Sequence, residues 1–315
     1  MRTIKAVSQS YTASEQILWL LGVFRRMVND CIQIGLKENI TSLKSLSLKS
    51  YHPLAKYDVC TSYRLTAISA ATRILRNYRR AKRKTKNAKE PYARKPILVV
   101  CYNLRIEAGN LFLPFRAGER ISIPLNSHVR ATIKGFTVRS VTLTRNSCAL
   151  SYTKDVVEIR PVGLIGVDRN LGNVTTVASD GTTATHDLSE AVQVKAKYRE
   201  VRSHFKRKDV RVSKQVNGKY GKKQQDKVRQ ILHHASKLIV EEAKKKRYGI
   251  AMEILTGMRR HYRRGNGQAR WYRGQMNSWS YFELQHQIEY KAKWEGLPVI
   301  YVHPQGTSSK CSICG

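Results

Sequence analysis

The sequence predicts an α/β chain of two lobes: a β-rich first lobe interrupted by helices, then a lobe in which strands alternate with long basic helices. Three observations predict it: helical periodicity within about residues 12–92, a switch to period two from Pro96, and, from Gly163, three strands followed by helices, a strand, a helix and a strand.

Residues 1–10 read as a short strand. YTASEQILWLLGVFRRMVNDCIQIGL reads as a helix, with Thr12 and Glu15 at capping-box spacing and Ile17, Leu21, Phe24, Val28 and Cys31 on one face. A polar Ser/Leu/Lys stretch follows, and Pro53 breaks any continuation. The second helix, TSYRLTAISAATRILRNYRRAKRKTK, carries Leu65, Ile68, Leu75 and Tyr78 as its stripe. Its end holds Arg76, Arg79, Arg80, Lys82 and Arg83 with few balancing carboxylates nearby. That block is either a solvated helix end or, as we favour, a phosphate-contacting face.

PILVVCYNLRIEAGNLFLPF looks like two strands joined at Glu107-Ala108-Gly109-Asn110; ISIPL, GFTVRSVTLTR and CALSYTKDVVEI follow, with a turn at Asn146-Ser147. Short strands with polar turns predict a small β-barrel or sandwich. From Gly163 the strand ending at Asp168 leads into NVTTVAS, a turn at Ser179-Asp180-Gly181, and TTATHDL. Basic helices are expected around 189–207 and 222–246, with VSKQVNGKYGKK between them loop-like. YGIAMEIL reads as a buried strand, MRRHYRRGNGQARWYRGQ as a basic, Gly-broken loop, NSWSYFELQHQIEYKAKWEG as a helix and LPVIYV as a last strand. The lobes are drawn as 1–161 and 162–303, with 304–315 a terminal appendage.

Among the 315 residues, 58 Lys and Arg against 22 Asp and Glu give a net charge of +36. Self-repulsion of that size works against a compact state unless a polyanion relieves it, so nucleic acid is the expected partner. No apolar run reaches spanning length and MRTIKAVSQSYTAS lacks the apolar core of a secretory signal, so no membrane partner and a cytoplasmic location are expected. Cys31, Cys60, Cys101 and Cys148 stand singly and read as reduced core residues. No G-x-x-x-x-G-K-[ST] occurs, which argues against an ATP-driven motor.

With carboxylates so scarce, their placement is informative. Asp168 ends GLIGVD and Glu253 follows YGIAM, each in or beside an apolar strand. Brought together, two such groups suit a divalent cation, with Mg²⁺ the natural choice; otherwise each pairs with an arginine or caps a turn. The strand order fits a ribonuclease H-like layout, in which the first and fourth strands supply acids at one sheet edge and two metals act on a phosphodiester.

The resemblance then becomes specific. GVDRNLGNVTTVASDG resembles the first RuvC motif of the TnpB (OrfB) transposon-associated family, relatives of the type V CRISPR effectors; AMEILTGMRR resembles the second, and the segment from Trp279 to Gly315 resembles the approach to that family's zinc ribbon. The likeness covers 163–315 well and the first lobe only in outline. It implies an RNA-guided DNA endonuclease of a mobile element, its partners guide RNA and target DNA, with Asp168 and Glu253 holding Mg²⁺ and base pairing supplying specificity. It also implies a RuvC domain with helical insertions, a β-barrel with a helical insert before it, and half a zinc ribbon at Cys311 and Cys314.

Arg259, Arg260, Arg263, Arg264 and Trp271, interleaved with Tyr262 and Tyr272, suit a single strand by charge and stacking, or else form a loop with incidental aromatics. Arg169 is either a phosphate contact or a surface residue. The family's second C-x-x-C and third carboxylate are expected beyond Gly315. Three readings follow: a C-terminally truncated longer protein, a decayed element left as a silent binder, or two chains sharing one zinc.

Overall fold

Ser14 starts the first long helix, its side chain accepting from the Ile17 N–H. It takes the cap expected of Thr12, because it is the last residue with extended backbone before the helix. In the computed structural model, which describes residues 1–85, 87–205 and 209–305, the chain divides into two units, Arg2–Lys154 and Met1 with the chain from Asp155 onward.

The first unit sets strand β1 (Arg2–Ser10) before helices α1 (Glu15–Lys37), α2 (Leu43–Ser50) and α3 (Ser62–Lys84). Ile17, Leu21, Phe24, Val28 and Cys31 of α1 are all buried, as their spacing requires. On α3 the stripe is rotated from the expected one: Tyr63, Ala67, Ile68, Ala71, Thr72 and Leu75 are buried, whereas Leu65 is exposed. Phe24 and Tyr63 meet edge-on at 6.5 Å between ring centroids, fixing α1 against α3.

Strands β2 (Leu98–Val100), β3 (Arg105–Glu107), β4 (Asn110–Pro114) and β5 (Arg120–Pro124), helix α4 (Ser127–Ile133), and strands β6 (Thr137–Leu143) and β7 (Ser147–Asp155) complete this unit. They make two open sheets, β1-β7-β6-β2 and β3-β4-β5. The expected barrel is therefore not closed. β2 has only three residues, and the chain then passes through Asn103 at φ 57° before β3 begins, which interrupts the ladder. The Gln9 side chain spans part of that gap: its Nε2 donates to the Pro124 carbonyl at 2.7 Å and its Oε1 accepts from the Asn126 N–H at 2.9 Å.

In the second unit β8 (Leu164–Arg169), β9 (Asn173–Ala178) and β10 (Thr183–Asp187) form an antiparallel run. Helices α5 (Ser189–His204) and α6 (Val210–Lys246) lead to β11 (Gly249–Glu253); α7 (Arg270–Ser278) and α8 (Tyr281–Trp294) lead to β12 (Val299–Val302). The sheet order is β10-β9-β8-β11-β12, with β8, β11 and β12 mutually parallel. One face carries Ile165, Val167, Ile250 and Met252 into a core shared with Leu232 and Ile239 of α6 and Leu284 and Ile288 of α8.

The segment 212–223, expected to be a loop, is helical. Gly218 and Gly221 each cost about 1 kcal/mol relative to Ala in a helix. Packing offsets them: Tyr220 stacks at 6.2 Å on Tyr198 and 6.0 Å on Phe205, and Arg202 Nη2 donates to Gln224 Oε1 at 2.7 Å. The basic segment after β11 also has more order than its glycines suggest. It contains a 3₁₀ turn at Met258–Arg260 and then α7, and the His261 carbonyl accepts from Asn266 Nδ2 and Gln268 Nε2.

Candidate functional site

β8 and β11 run parallel with Ile250 opposite Ile165 and Met252 opposite Val167. One residue further along, Asp168 and Glu253 lie at the C-terminal ends of neighbouring strands. Because side chains alternate, the pairs that fill the core leave these two carboxylates on the opposite face, with strands about 4.8 Å apart. Asp168 is exposed and Glu253 partly so. Asn170 Nδ2 donates to Asp168 Oδ2 at 3.0 Å, which steadies one carboxylate oxygen. Two hard oxygen donors side by side suit Mg²⁺ in chemistry and charge. Among the described residues, no set of three or more His, Cys, Asp or Glu gathers at metal-binding distance.

Arg169 faces the other way. Only 3% of it is exposed. Its Nη1 donates to Gln285 Oε1 at 2.7 Å and to the Tyr281 carbonyl at 3.5 Å, and its Nη2 donates to the Glu253 carbonyl. Burial pulls its pKa down, opposed by the nearby Tyr301, Glu253 and Asp168; a guanidinium stays charged regardless. Arg169 is therefore neither the exposed phosphate contact nor the surface residue that the sequence left open. Alternation on β8 turns its head into the protein, where it ties β8, β11 and α8 together directly behind the two carboxylates.

The profile of the Cas12f1-like, TNB domain family matches residues 281–315. A TnpB-like protein of Methanocaldococcus jannaschii is 30% identical over 192 residues, 57% of this chain and 66% of the relative. The chain belongs to the TnpB family, which is related to Cas12f. A CRISPR-associated endodeoxyribonuclease Cas12f1 of Sulfoacidibacillus thermotolerans is 39% identical over 84 residues, and one of Syntrophomonas palmitatica is 45% identical over 40. The matches span just under two thirds of the archaeal relative and 18% and 8% of the two Cas12f1 proteins.

The other expected site residues of this TnpB-family chain fall into separate places. Arg80, Lys82 and Arg83 are exposed at the end of α3. Arg76 and Arg79 are exposed too, but Arg76 Nε donates to the Thr41 carbonyl and Arg79 Nη1 to Thr41 Oγ1, so both also hold the turn before α2. In the second unit Arg259, Arg260, Arg263 and Arg264 are exposed, and Trp271 is 65% exposed. Tyr272 packs edge-on against both Tyr262 and Trp271, so these aromatics form one cluster. Cys311 and Cys314 lie outside the described residues.

Sequence reasoning missed Lys195, which sits in the middle of a long basic helix and carries no distinguishing local pattern. Its Nζ donates to the Ser278 carbonyl at 2.6 Å and Ser280 Oγ at 2.7 Å. Burial, aided by Arg199 and Arg259, lowers its pKa to about 8. The lysine pins the α7–α8 junction to α5. No described helix is long and apolar enough to cross a membrane.

Proposed function

We propose that this chain forms the main body of an RNA-guided, Mg²⁺-dependent DNA endonuclease of a mobile element, built on a ribonuclease H-like (RuvC) second unit. The observation that carries the reading is the register that sets Asp168 and Glu253 side by side at the ends of two neighbouring parallel strands. The Cas12f1 relatives are named as endodeoxyribonucleases, which supports a nuclease reading of that pair.

Asp168 and Glu253 would hold the metal, which, when bound, activates water and stabilises the leaving oxygen. The protein's own contribution is positioning. Asn170 orients Asp168, while Arg169 fixes the end of β11 through the Glu253 carbonyl, so that neither strand end frays. The exposed arginines of the 259–264 segment and the basic end of α3 supply phosphate contacts for guide RNA and target DNA, independent of sequence. Cys311 and Cys314 would give half of a four-cysteine zinc site.

A second reading, a silent nucleic-acid binder of the same family, rests on the net charge of +36, which attracts a polyanion without any metal site. One experiment separates the two. The protein is expressed with RNA transcribed from its own locus, and the co-purified complex is assayed on a matching DNA target with Mg²⁺ and with EDTA. The nuclease reading expects Mg²⁺-dependent cutting that Asp168→Ala abolishes while RNA still co-purifies. RNA retention without cutting by the parent chain sinks it in favour of the binder; absence of bound RNA sinks both.

A further inference from the structure

A cavity of about 440 Å³ lies inside the second unit, at a distance in sequence from both acidic strand ends. α5 contributes Arg199, Arg202 and Ser203, and α6 contributes Ser213 and Asn217. Both sets follow helical spacing, so each helix turns one polar stripe toward the other. Val216 of α6, Arg270 at the first turn of α7 and Phe205 just past α5 complete the described lining.

Among the described residues the lining holds three guanidinium groups and no carboxylate. Among the described residues none of the three arginines takes part in an ion pair. The acid adjoining α6, Asp209, caps that helix through Oδ1, accepting from the Arg211 and Val212 N–H groups, and does not line the cavity. Two of the arginines are held in place by neutral partners: Arg199 by the Gly274 carbonyl and Ser278 Oγ, Arg202 by the Tyr198 carbonyl and Gln224 Oε1. Like charges fixed together without a counter-charge are costly unless an anion joins them. Serine and asparagine side chains between them add uncharged partners for phosphate oxygens.

Phe205 specifies the kind of anion. Its ring leans on Tyr220 at 6.0 Å, yet 37% of the residue remains exposed. An exposed aromatic beside a phosphate-binding cluster offers a stacking surface that only an unpaired base can use. We propose that this cavity is a phosphate subsite for a single-stranded segment of nucleic acid, with Arg202 and Arg270 on the phosphate and a base stacked on Phe205. The proposal rests on the nucleic-acid reading above and adds a place, a strandedness and residues to it.

The test is fluorescence anisotropy of the full chain with a short labelled single-stranded oligonucleotide, titrated across a salt series, beside a duplex of equal length. Arg270→Gln and Arg202→Gln are each expected to reduce the salt slope for the single strand by about 0.7. Phe205→Ala is expected to weaken single-strand binding on the order of tenfold while leaving the slope unchanged. Duplex binding should move little. Arg202 also holds Gln224, so Arg270→Gln, on α7, keeps the test valid if the α5–α6 hairpin loosens; circular dichroism checks each variant. Unchanged slopes in the Arg270 variant, with the parent chain binding normally, overturn the subsite alone. If a free mononucleotide loses affinity in the variants but the oligonucleotide does not, the site is a nucleotide pocket and the strand proposal falls. A parent chain that binds no nucleic acid at low salt overturns the broader reading instead.

Discussion

Arg169→Met is the most informative single change, because the residue is buried and its bonds are named. Methionine keeps much of the length and apolar stem but removes two well-placed donors, one to Gln285 Oε1 and one to the Glu253 carbonyl. Hydrogen bonds made by a charged donor contribute about 1.5–3 kcal/mol each, so the gross loss is about 3–6 kcal/mol. Part is recovered, since a guanidinium no longer has to be stripped of water. The acceptors left behind are neutral, which limits the remaining penalty, and the net expectation is a loss of about 2–4 kcal/mol. Urea unfolding of the full chain, followed by tryptophan fluorescence, measures it as a lower midpoint at unchanged slope for the second unit's transition. Arg169→Lys should recover little, because an ammonium on a flexible stem cannot reproduce the planar fork. A methionine variant as stable as the parent would refute the claim that this residue ties β11 to β8.

Three further outcomes follow from the same kind of reasoning. Lys195 has a folded pKa of about 8 against the ordinary 10.5, so the unfolded chain holds the proton more tightly: the charged group opposes folding below about pH 8, and stability should rise as pH increases from there toward 10.5, a rise that Lys195→Met should flatten in pH-dependent unfolding. Tyr63→Phe leaves the buried Pro114 carbonyl without its hydroxyl donor and should cost about 1–3 kcal/mol, read as a lower unfolding midpoint of the first unit. Gly296 has φ +77° and an added Cβ would come within 2.5 Å of the Val157 carbonyl, so Gly296→Ala should cost about 2–4 kcal/mol from backbone strain and overpacking together, measured by thermal unfolding.

What the sequence made legible was whatever depended on alternation and scarcity. Asp168 and Glu253 stood out because acids are few, and the ribonuclease H-like order of strands and helices, rather than alternation alone, pointed to one sheet edge for both. The same alternation was available for Arg169, one residue on, but its side chain's fate depended on Gln285 of α8, which approaches only in the folded unit. Gly218 and Gly221 misled for a related reason: local composition argued for a loop, while the Tyr198–Tyr220–Phe205 stack is set by the pairing of α5 with α6. Barrel closure was equally out of reach, since it turns on whether the three residues of β2 connect onward to β3. The phosphate cavity gathers side chains from three helices, so no window of sequence displays it.

The adjacency of Asp168 and Arg169 makes the protein intolerant of length change at one spot. They are consecutive residues assigned to opposite faces, and a strand shifted by one position exchanges them. A single in-frame codon gained or lost within β8 would bring the guanidinium out among the strand ends and drive the carboxylate into Ile165, Val167 and Met252. Folding and the proposed chemistry would be lost in the same event. At the exposed Ser179-Asp180-Gly181 turn, by contrast, an extra residue disturbs the turn's own hydrogen bonds and the Asp180–Lys246 ion pair but leaves the two faces of β8 as they are. A scan of single-residue insertions should therefore show a sharp boundary between β8 and that turn, whatever amino acid is inserted.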